Sequence, residues 1–263
     1  MFNSPTPMHY RPDAPRKINA FNLLNVNTSI QPIFDRQLKT FAHELLPRPD
    51  TLRPGDIARF LENSTVSQLN VFYTAALTSV KHHYSTASFG LPSSQQPEHP
   101  LVFLRVNKDC LCNFQIQTSL INTAQTLALF GYKLIVILPN APLRQGNTTQ
   151  RLYAALYALN DAGIDLATSR IDTRNDPDIN QLFPWHLIKF IFSSAERVGI
   201  SLSESSFHPD LYHQAADNLT ELLNQHPVSL ILNQIDNPWQ ACLARTLPVH
   251  YFQGRYYGAQ KSL

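Results

Sequence analysis

The sequence predicts an α/β fold in which helices cover a mostly parallel sheet. From about residue 101 to residue 252, short apolar runs alternate with helical segments whose apolar residues recur every three or four positions, as a parallel sheet with crossover helices requires. The runs at 101–104 and 134–138 are apolar throughout, which is typical of strands buried on both faces. The 263 residues suit one domain of barrel size. Periodicity alone leaves a closed barrel and an open doubly wound sheet as alternatives.

Proline and glycine mark the boundaries of the predicted elements. Gly131 and Gly163 follow two helical segments, Pro139 ends an apolar run, and Pro209 opens a helix. A polar stretch rich in Ser, Pro, Gln and His over 82–100 is predicted to be a surface loop. The helices are predicted over 53–62, 68–80, 114–130, 149–162, 178–182, 209–223 and 238–246, and the strands over 101–107, 133–138, 164–168, 187–190, 228–235 and 249–252.

Composition argues against several functional classes. The net charge is +2 and the Lys and Arg residues are scattered, so no direct nucleic-acid partner is predicted. No apolar run approaches the roughly 20 residues that cross a bilayer, and the N-terminus lacks the apolar core of a signal peptide. We therefore predict a cytoplasmic protein with no membrane partner. Cys110, Cys112 and Cys242 lack the spacing of a zinc site and are predicted to be reduced structural thiols.

The most informative motif lies between Ile30 and Arg48. It contains Gln-Pro-Ile at 31–33 and Glu-Leu-Leu-Pro-Arg at 44–48. This stretch resembles the opening of the EAL domain, a bacterial cyclic-di-GMP phosphodiesterase module that begins with Tyr-Gln-Pro-Ile, a short turn and Glu-Ala-Leu-Leu-Arg. Here Leu45 replaces the middle Ala. The resemblance implies a single-domain (β/α)8 barrel of the EAL type, a TIM-like barrel in which one strand runs opposite to the rest.

Three segments are predicted on this basis. Residues 1–27 form a Pro-rich N-terminal arm, because they carry four prolines among polar residues and no periodic apolar pattern. Residues 28–258 form the EAL-like barrel, and residues 259–263 a C-terminal tail. The arm is either a simple extension or a docking segment for a partner.

Five positions of the family's site are retained. Glu44 matches the first metal-ligand Glu of the family, and Arg48 closes the same motif. Asn107 matches the Asn of an Ile-Asn-x-Ser strand end, and Lys189 matches the active-site Lys. Gln253 begins the closing Gln-Gly pair. The resemblance implies that these residues surround the substrate in an active member of the family.

Four other positions have lost their acids. Pro139 stands near the strand end where the family has Glu-x-Thr-Glu, Thr168 and Ser169 replace an Asp pair, and Asn233 replaces a Glu. Arg170 adds a cation beside the lost pair. Two divalent metals over a phosphodiester need carboxylates that neutralise their charge and fix their geometry. We therefore predict no catalytic residue, no metal and no cofactor, although the resemblance implies Mg or Mn in active members.

Several of these residues also have purely structural interpretations. Glu44 and Arg48 are four residues apart and could form an ion pair. Asn107 and Gln253 could satisfy buried backbone groups, and Lys189 is either exposed or neutralised by a ligand phosphate. The alignment predicts that one mouth of the barrel collects the strand ends that carry Glu44, Asn107, Thr168, Lys189, Asn233 and Gln253.

The resemblance implies three functional hypotheses. The first is a catalytically inactive EAL-like regulatory protein of bacterial signalling, in motility, biofilm or transcription control, whose partner is a protein such as a transcription regulator. The second is a non-hydrolysing cyclic-di-GMP receptor that uses Arg48, Asn107, Lys189 and Gln253. The third is an active cyclic-di-GMP phosphodiesterase, against which the lost acids argue.

Overall fold

The structure of the chain is a computed structural model. It describes residues 25–87, 100–139, 143–144, 148–169 and 184–262, apart from the side chains of residues 54, 86 and 87. Most of the predicted N-terminal arm, the predicted helix over 178–182 and Arg170 lie outside the described residues.

Nine strands of the described residues form one sheet. They are β1 (Val26–Phe34), β2 (Thr40–Pro49), β3 (Leu101–Arg105), β4 (Lys133–Pro139), β5 (Asp165–Ser169), β6 (Ile188–Ser194), β7 (Ser229–Asn233), β8 (Tyr251–Phe252) and β9 (Lys261–Ser262). The helices are α1 (Ile57–Asn63), α2 (Val66–Ala87), α3 (Lys108–Leu111), α4 (Phe114–Leu129), α5 (Thr149–Asp161), α6 (Pro209–Gln225) and α7 (Pro238–Thr246). Short 3₁₀ turns occupy Pro54–Asp56, Trp185–Leu187, Glu196–Val198 and Glu204–Ser206.

The first eight strands close into a barrel. Strands β2 to β8 run parallel in sequence order, and β1 pairs antiparallel with both β2 and β8. This confirms the predicted barrel with one reversed strand and excludes the open doubly wound sheet. The short β9 adds to β1 through the pairs Ser29–Ser262 and Ile30–Lys261.

The turn between β1 and β2 explains how one strand becomes reversed. The Asp35 carboxylate accepts hydrogen bonds from the backbone N–H groups of Gln37 and Lys39, and Leu38 adopts a positive φ of 62°. These contacts close a tight connection, and a tight connection joins antiparallel strands only.

Side chains alternate between two cores along every strand. One set fills the barrel interior, for example Ile33, Phe103 and Ile231. The other set packs under the helices, for example Leu45 and Leu232. Because the barrel is filled with side chains, only the residues at the strand ends are free to line a site.

Capping residues in the sequence fix several helix starts. Asn113 begins α4 by accepting from the N–H of Gln115, and Asn237 begins α7 by accepting from the N–H of Gln240. Gly131, which follows α4, has a φ of +80°, a conformation that favours glycine. None of the described helices is both long and apolar enough to span a bilayer.

The structure corrects some predicted boundaries. Strand β1 begins at Val26, inside the segment predicted as the arm, and β9 lies inside the predicted tail over 259–263. Helix α2 continues to Ala87, so the first part of the predicted loop over 82–100 is helical. Strand β6 runs to Ser194 rather than ending at residue 190.

Candidate functional site

A cleft of about 960 Å³ opens at the carboxyl ends of the parallel strands. Successive side chains of a strand alternate between its two faces. On each strand, the residue two positions after the last interior side chain therefore lies on the same face and lines the cleft. Strand β1 runs in the opposite direction, so its cleft residue comes two positions before its interior Ile33. The strands and the segment after β8 contribute Gln31, Glu44, Arg105, Pro139, Ser169, Ser194, Asn233 and Gln253.

Glu44 is the buried acid of this cleft, with 3% of its surface exposed. Its Oε1 pairs with the Arg105 guanidinium at 3.2 Å, and its Oε2 accepts a hydrogen bond from Gln253 Nε2 at 2.8 Å. Arg105 also lies over the ring of Phe192, with 6.0 Å between its Cζ and the ring centroid. Both carboxylate oxygens therefore have protein partners, and the charge of Glu44 is neutralised by a neighbouring side chain.

Arg48 lines the same cleft but does not pair with Glu44. The two side chains leave the same face of β2, and four residues of strand separate them by about 13 Å. Arg48 instead donates to the carbonyl of Leu52 at 2.7 Å. The suggested Glu44–Arg48 ion pair is thus wrong, and the partner is Arg105.

Asn107 acts as a helix cap. Its Oδ1 accepts from the N–H of Asp109 at 2.8 Å at the start of α3, while its own N–H donates to the hydroxyl of Tyr73 at 3.1 Å. Burial raises the pKa of Tyr73, so this hydroxyl stays protonated. The side chain of Asn107 is absent from the cleft lining, which agrees with its structural interpretation.

Strand alternation separates the adjacent residues Thr168 and Ser169. Thr168 is 3% exposed and faces the helix layer, as Leu166 does. Ser169 lines the cleft. Pro139 and Asn233, two further positions without the family's acids, also line the cleft.

Lys189 lies at the wrong end of the barrel. It is the second residue of β6, its side chain is exposed, and it does not line the cleft. The carboxyl end of β6 instead brings Phe192 and Ser194 toward the mouth. Of the six residues predicted to converge, Glu44, Asn233 and Gln253 line the cleft, and the side chains of Asn107 and Thr168 do not. The prediction is wrong for Lys189, because β6 extends further than its apolar pattern indicated.

The segments that follow β7 and β8 are joined across the cleft rim. Arg255 donates to both carboxylate oxygens of Asp236, from its N–H at 3.2 Å and its guanidinium at 2.7 Å. The hydrogen bond from the Arg255 side chain holds the pKa of Asp236 below its usual value. A Cβ on Gly254 would stand 2.0 Å from the carbonyl oxygen of Ile235, so only glycine permits this approach.

Among the described residues, four arginines and three carboxylates line the cleft. Motif reasoning missed Arg105 and Arg197, because neither occupies a position that the motifs mark. A signal for Arg105 was available: it is the charged residue that ends an apolar strand two positions after Phe103. The arginines are Arg48, Arg105, Arg197 and Arg255, and the carboxylates are Glu44, Glu196 and Asp236.

This donor set does not suit a pair of divalent metals. Two of these three described acids are paired with arginines, and the ends of β4, β5 and β7 offer Pro139, Ser169 and Asn233. Within the described ranges, no three His, Cys, Asp or Glu side chains are grouped so that they could hold a metal ion. Hard divalent cations select several carboxylate and carbonyl oxygens, and the Arg105 guanidinium beside Glu44 opposes them.

No protein-family model and no curated protein sequence matches the chain. Solved structures do match it. BlrP1 of Klebsiella pneumoniae, in a complex with calcium and cyclic-di-GMP, superposes with a TM-score of 0.65 at 14% identity over 90% of this chain and 56% of its own. The chain thus spans little more than half the length of that protein.

Two shorter structures are covered more fully. The PaMucR phosphodiesterase in complex with cyclic-di-GMP gives a TM-score of 0.64 at 13% identity, over 89% of this chain and 96% of its own. The EAL domain of Xanthomonas citri FimX, also in complex with cyclic-di-GMP, gives 0.63 at 12% identity, over 90% and 88%. At such low identities these likenesses show the fold, which is an EAL-type (β/α)8 barrel.

Proposed function

We propose that this chain is a catalytically inactive, EAL-like regulatory protein of bacterial signalling that acts by binding a protein partner such as a transcription regulator. One observation is the main support for the proposed lack of catalysis. The buried acid of the cleft, Glu44, is neutralised by Arg105 and held by Gln253. A cation that is part of the chain therefore occupies one oxygen of Glu44, and an amide occupies the other.

The chemistry of phosphodiester hydrolysis supports this proposal. A two-metal mechanism needs carboxylates that hold both ions, and the ions then supply the hydroxide and neutralise the charge of the transition state. Here the carboxyl ends of β4, β5 and β7 carry a proline, a hydroxyl and an amide instead. With neither ion held, no metal-bound hydroxide forms to attack the phosphodiester.

A turnover assay tests the proposal. Wild type is incubated with cyclic-di-GMP in millimolar Mg²⁺ or Mn²⁺, beside Ser169→Asp/Asn233→Glu and Thr168→Asp/Ser169→Asp/Asn233→Glu. We expect background rates from all three, because Arg105 still neutralises Glu44 and because residue 168 faces the helix layer. Metal-dependent hydrolysis by the wild type would contradict the proposal.

A second candidate, a non-hydrolysing cyclic-di-GMP receptor, is favoured by the cleft itself. Its volume of about 960 Å³ lies at the upper end of the range for ligand pockets, about 300–1,000 Å³. Its arginines present the donors that bind phosphate groups. The site would use Arg48 and Gln253 but neither Lys189 nor the side chain of Asn107, which are absent from the lining.

A calorimetric titration with cyclic-di-GMP, with and without Mg²⁺, separates the two candidates. For a receptor, we expect a heat of binding that saturates as the dinucleotide concentration rises. A protein that acts only through a partner gives no saturable heat under either condition.

A further inference from the structure

We propose that Arg105 is the phosphate-binding residue of the cleft and that it holds a nucleotide phosphate without any metal ion. The inference rests on the second candidate function, in which the cleft binds a nucleotide without hydrolysing it. It concerns a residue that lies outside the motifs by which the chain resembles the EAL family, and it follows from the geometry around Glu44.

Arg105 is held in place before any ligand arrives. Its contact with Glu44 at 3.2 Å orients one side of the guanidinium, and the ring of Phe192 lies against it. Gln253 in turn fixes the other oxygen of Glu44 at 2.8 Å. A side chain that is already ordered loses little further conformational entropy on binding.

Arg105 also keeps donors for a ligand. A guanidinium has five N–H groups, and Glu44 accepts from one of its terminal nitrogens. The side chain is 29% exposed and lines the cleft. The remaining N–H groups are therefore positioned to bind a phosphate bidentately, as guanidinium groups do.

The surroundings favour a nucleotide over a bare anion. Arg48 leaves the same side of the barrel wall about 7 Å further along the strand direction, so that both arginines can approach one phosphate. Among the described residues, no carboxylate forms an ion pair with Arg48. Asn233 Oδ1 is buried at the cleft and accepts no hydrogen bond from the part of the chain described. A ribose hydroxyl or a base N–H would satisfy it.

The test is a titration in EDTA with three probes, cyclic-di-GMP, 5′-GMP and inorganic phosphate. The key variant is Arg105→Met/Glu44→Gln, which removes both charges together and leaves no buried carboxylate unpaired. The control is Lys133→Met/Asp165→Asn, which removes an ion pair with a 2.6 Å contact at the first residues of β4 and β5, at the opposite end of the barrel. Thermal unfolding of each variant establishes that it is folded.

We expect wild type and control to bind at least one nucleotide probe in EDTA, and the Arg105 variant to bind it about 10- to 100-fold more weakly. Binding of cyclic-di-GMP alone would identify the dinucleotide as the source of the phosphate, whereas binding of 5′-GMP as well would show that a mononucleotide is sufficient. Equal binding by the Arg105 variant, a requirement for Mg²⁺, or binding of neither nucleotide by wild type would each overturn the inference. Hydrolysis in the turnover assay would instead overturn the proposed function, so the two failures are distinguishable.

Discussion

The pairing of Glu44 with Arg105 makes a quantitative prediction for protein stability. Arg105→Met leaves a carboxylate with 5% side-chain exposure without its cation. Breaking a buried ion pair in this way costs about 3–5 kcal/mol. Arg105 is 29% exposed and makes one contact at 3.2 Å, while Gln253 continues to donate to Glu44. We therefore expect a lower figure, a loss of about 2 kcal/mol in the free energy of unfolding.

A double-mutant cycle measures the interaction itself. Glu44→Gln keeps an acceptor for Gln253, so Arg105→Met/Glu44→Gln should recover about 1 kcal/mol relative to Arg105→Met. The assay is urea unfolding at pH 7, followed by circular dichroism. Lys133→Met is the control, because its ion pair with Asp165 is 44% and 23% exposed and should contribute less than about 1 kcal/mol. A loss for Arg105→Met no larger than that for Lys133→Met would refute the reasoning, as would strictly additive effects in the cycle.

Three further predictions concern the rest of the barrel. Gly254→Ala should destabilise the fold by more than about 3 kcal/mol in urea unfolding, because its Cβ would stand 2.0 Å from a backbone carbonyl oxygen, whereas Gly55→Ala, with open space around it, should not. Arg36→Met should lower the free energy of unfolding by about 2 kcal/mol, since its guanidinium donates to three backbone carbonyls at the end of α7 and before β8; no loss would show that these contacts are not maintained in solution. Arg255 depresses the pKa of Asp236, so this carboxylate stabilises the fold above its unfolded pKa of about 3.9 and loses that contribution as the pH falls through its folded pKa. Acid unfolding of Asp236→Asn should therefore depend less steeply on pH below about pH 4 than that of wild type, and equal slopes would contradict the assignment.

Local sequence signals predicted most of the elements in their correct order. The predicted helix over 238–246 coincides with α7, and the predicted strand over 133–138 differs from β4 by one residue. These signals are local, because the spacing of apolar residues and the Pro, Gly or Asn residues at the ends define one helix or strand at a time. The Gln-Pro-Ile and Gln-Gly motifs, which end in Ile33 and Gly254, predicted the barrel and its reversed strand.

Which side chains face the cleft became clear only from the folded chain. Successive side chains of a strand point to opposite faces, and this is why Ser169 reaches the cleft while Thr168 does not. Lys189 was misplaced because the apolar pattern does not reveal where β6 ends. The partner of Glu44 was equally hidden, because Arg105 and Gln253 come from segments 61 and 209 residues away. Sequence spacing carries no information about such contacts, which exist only once the barrel is closed.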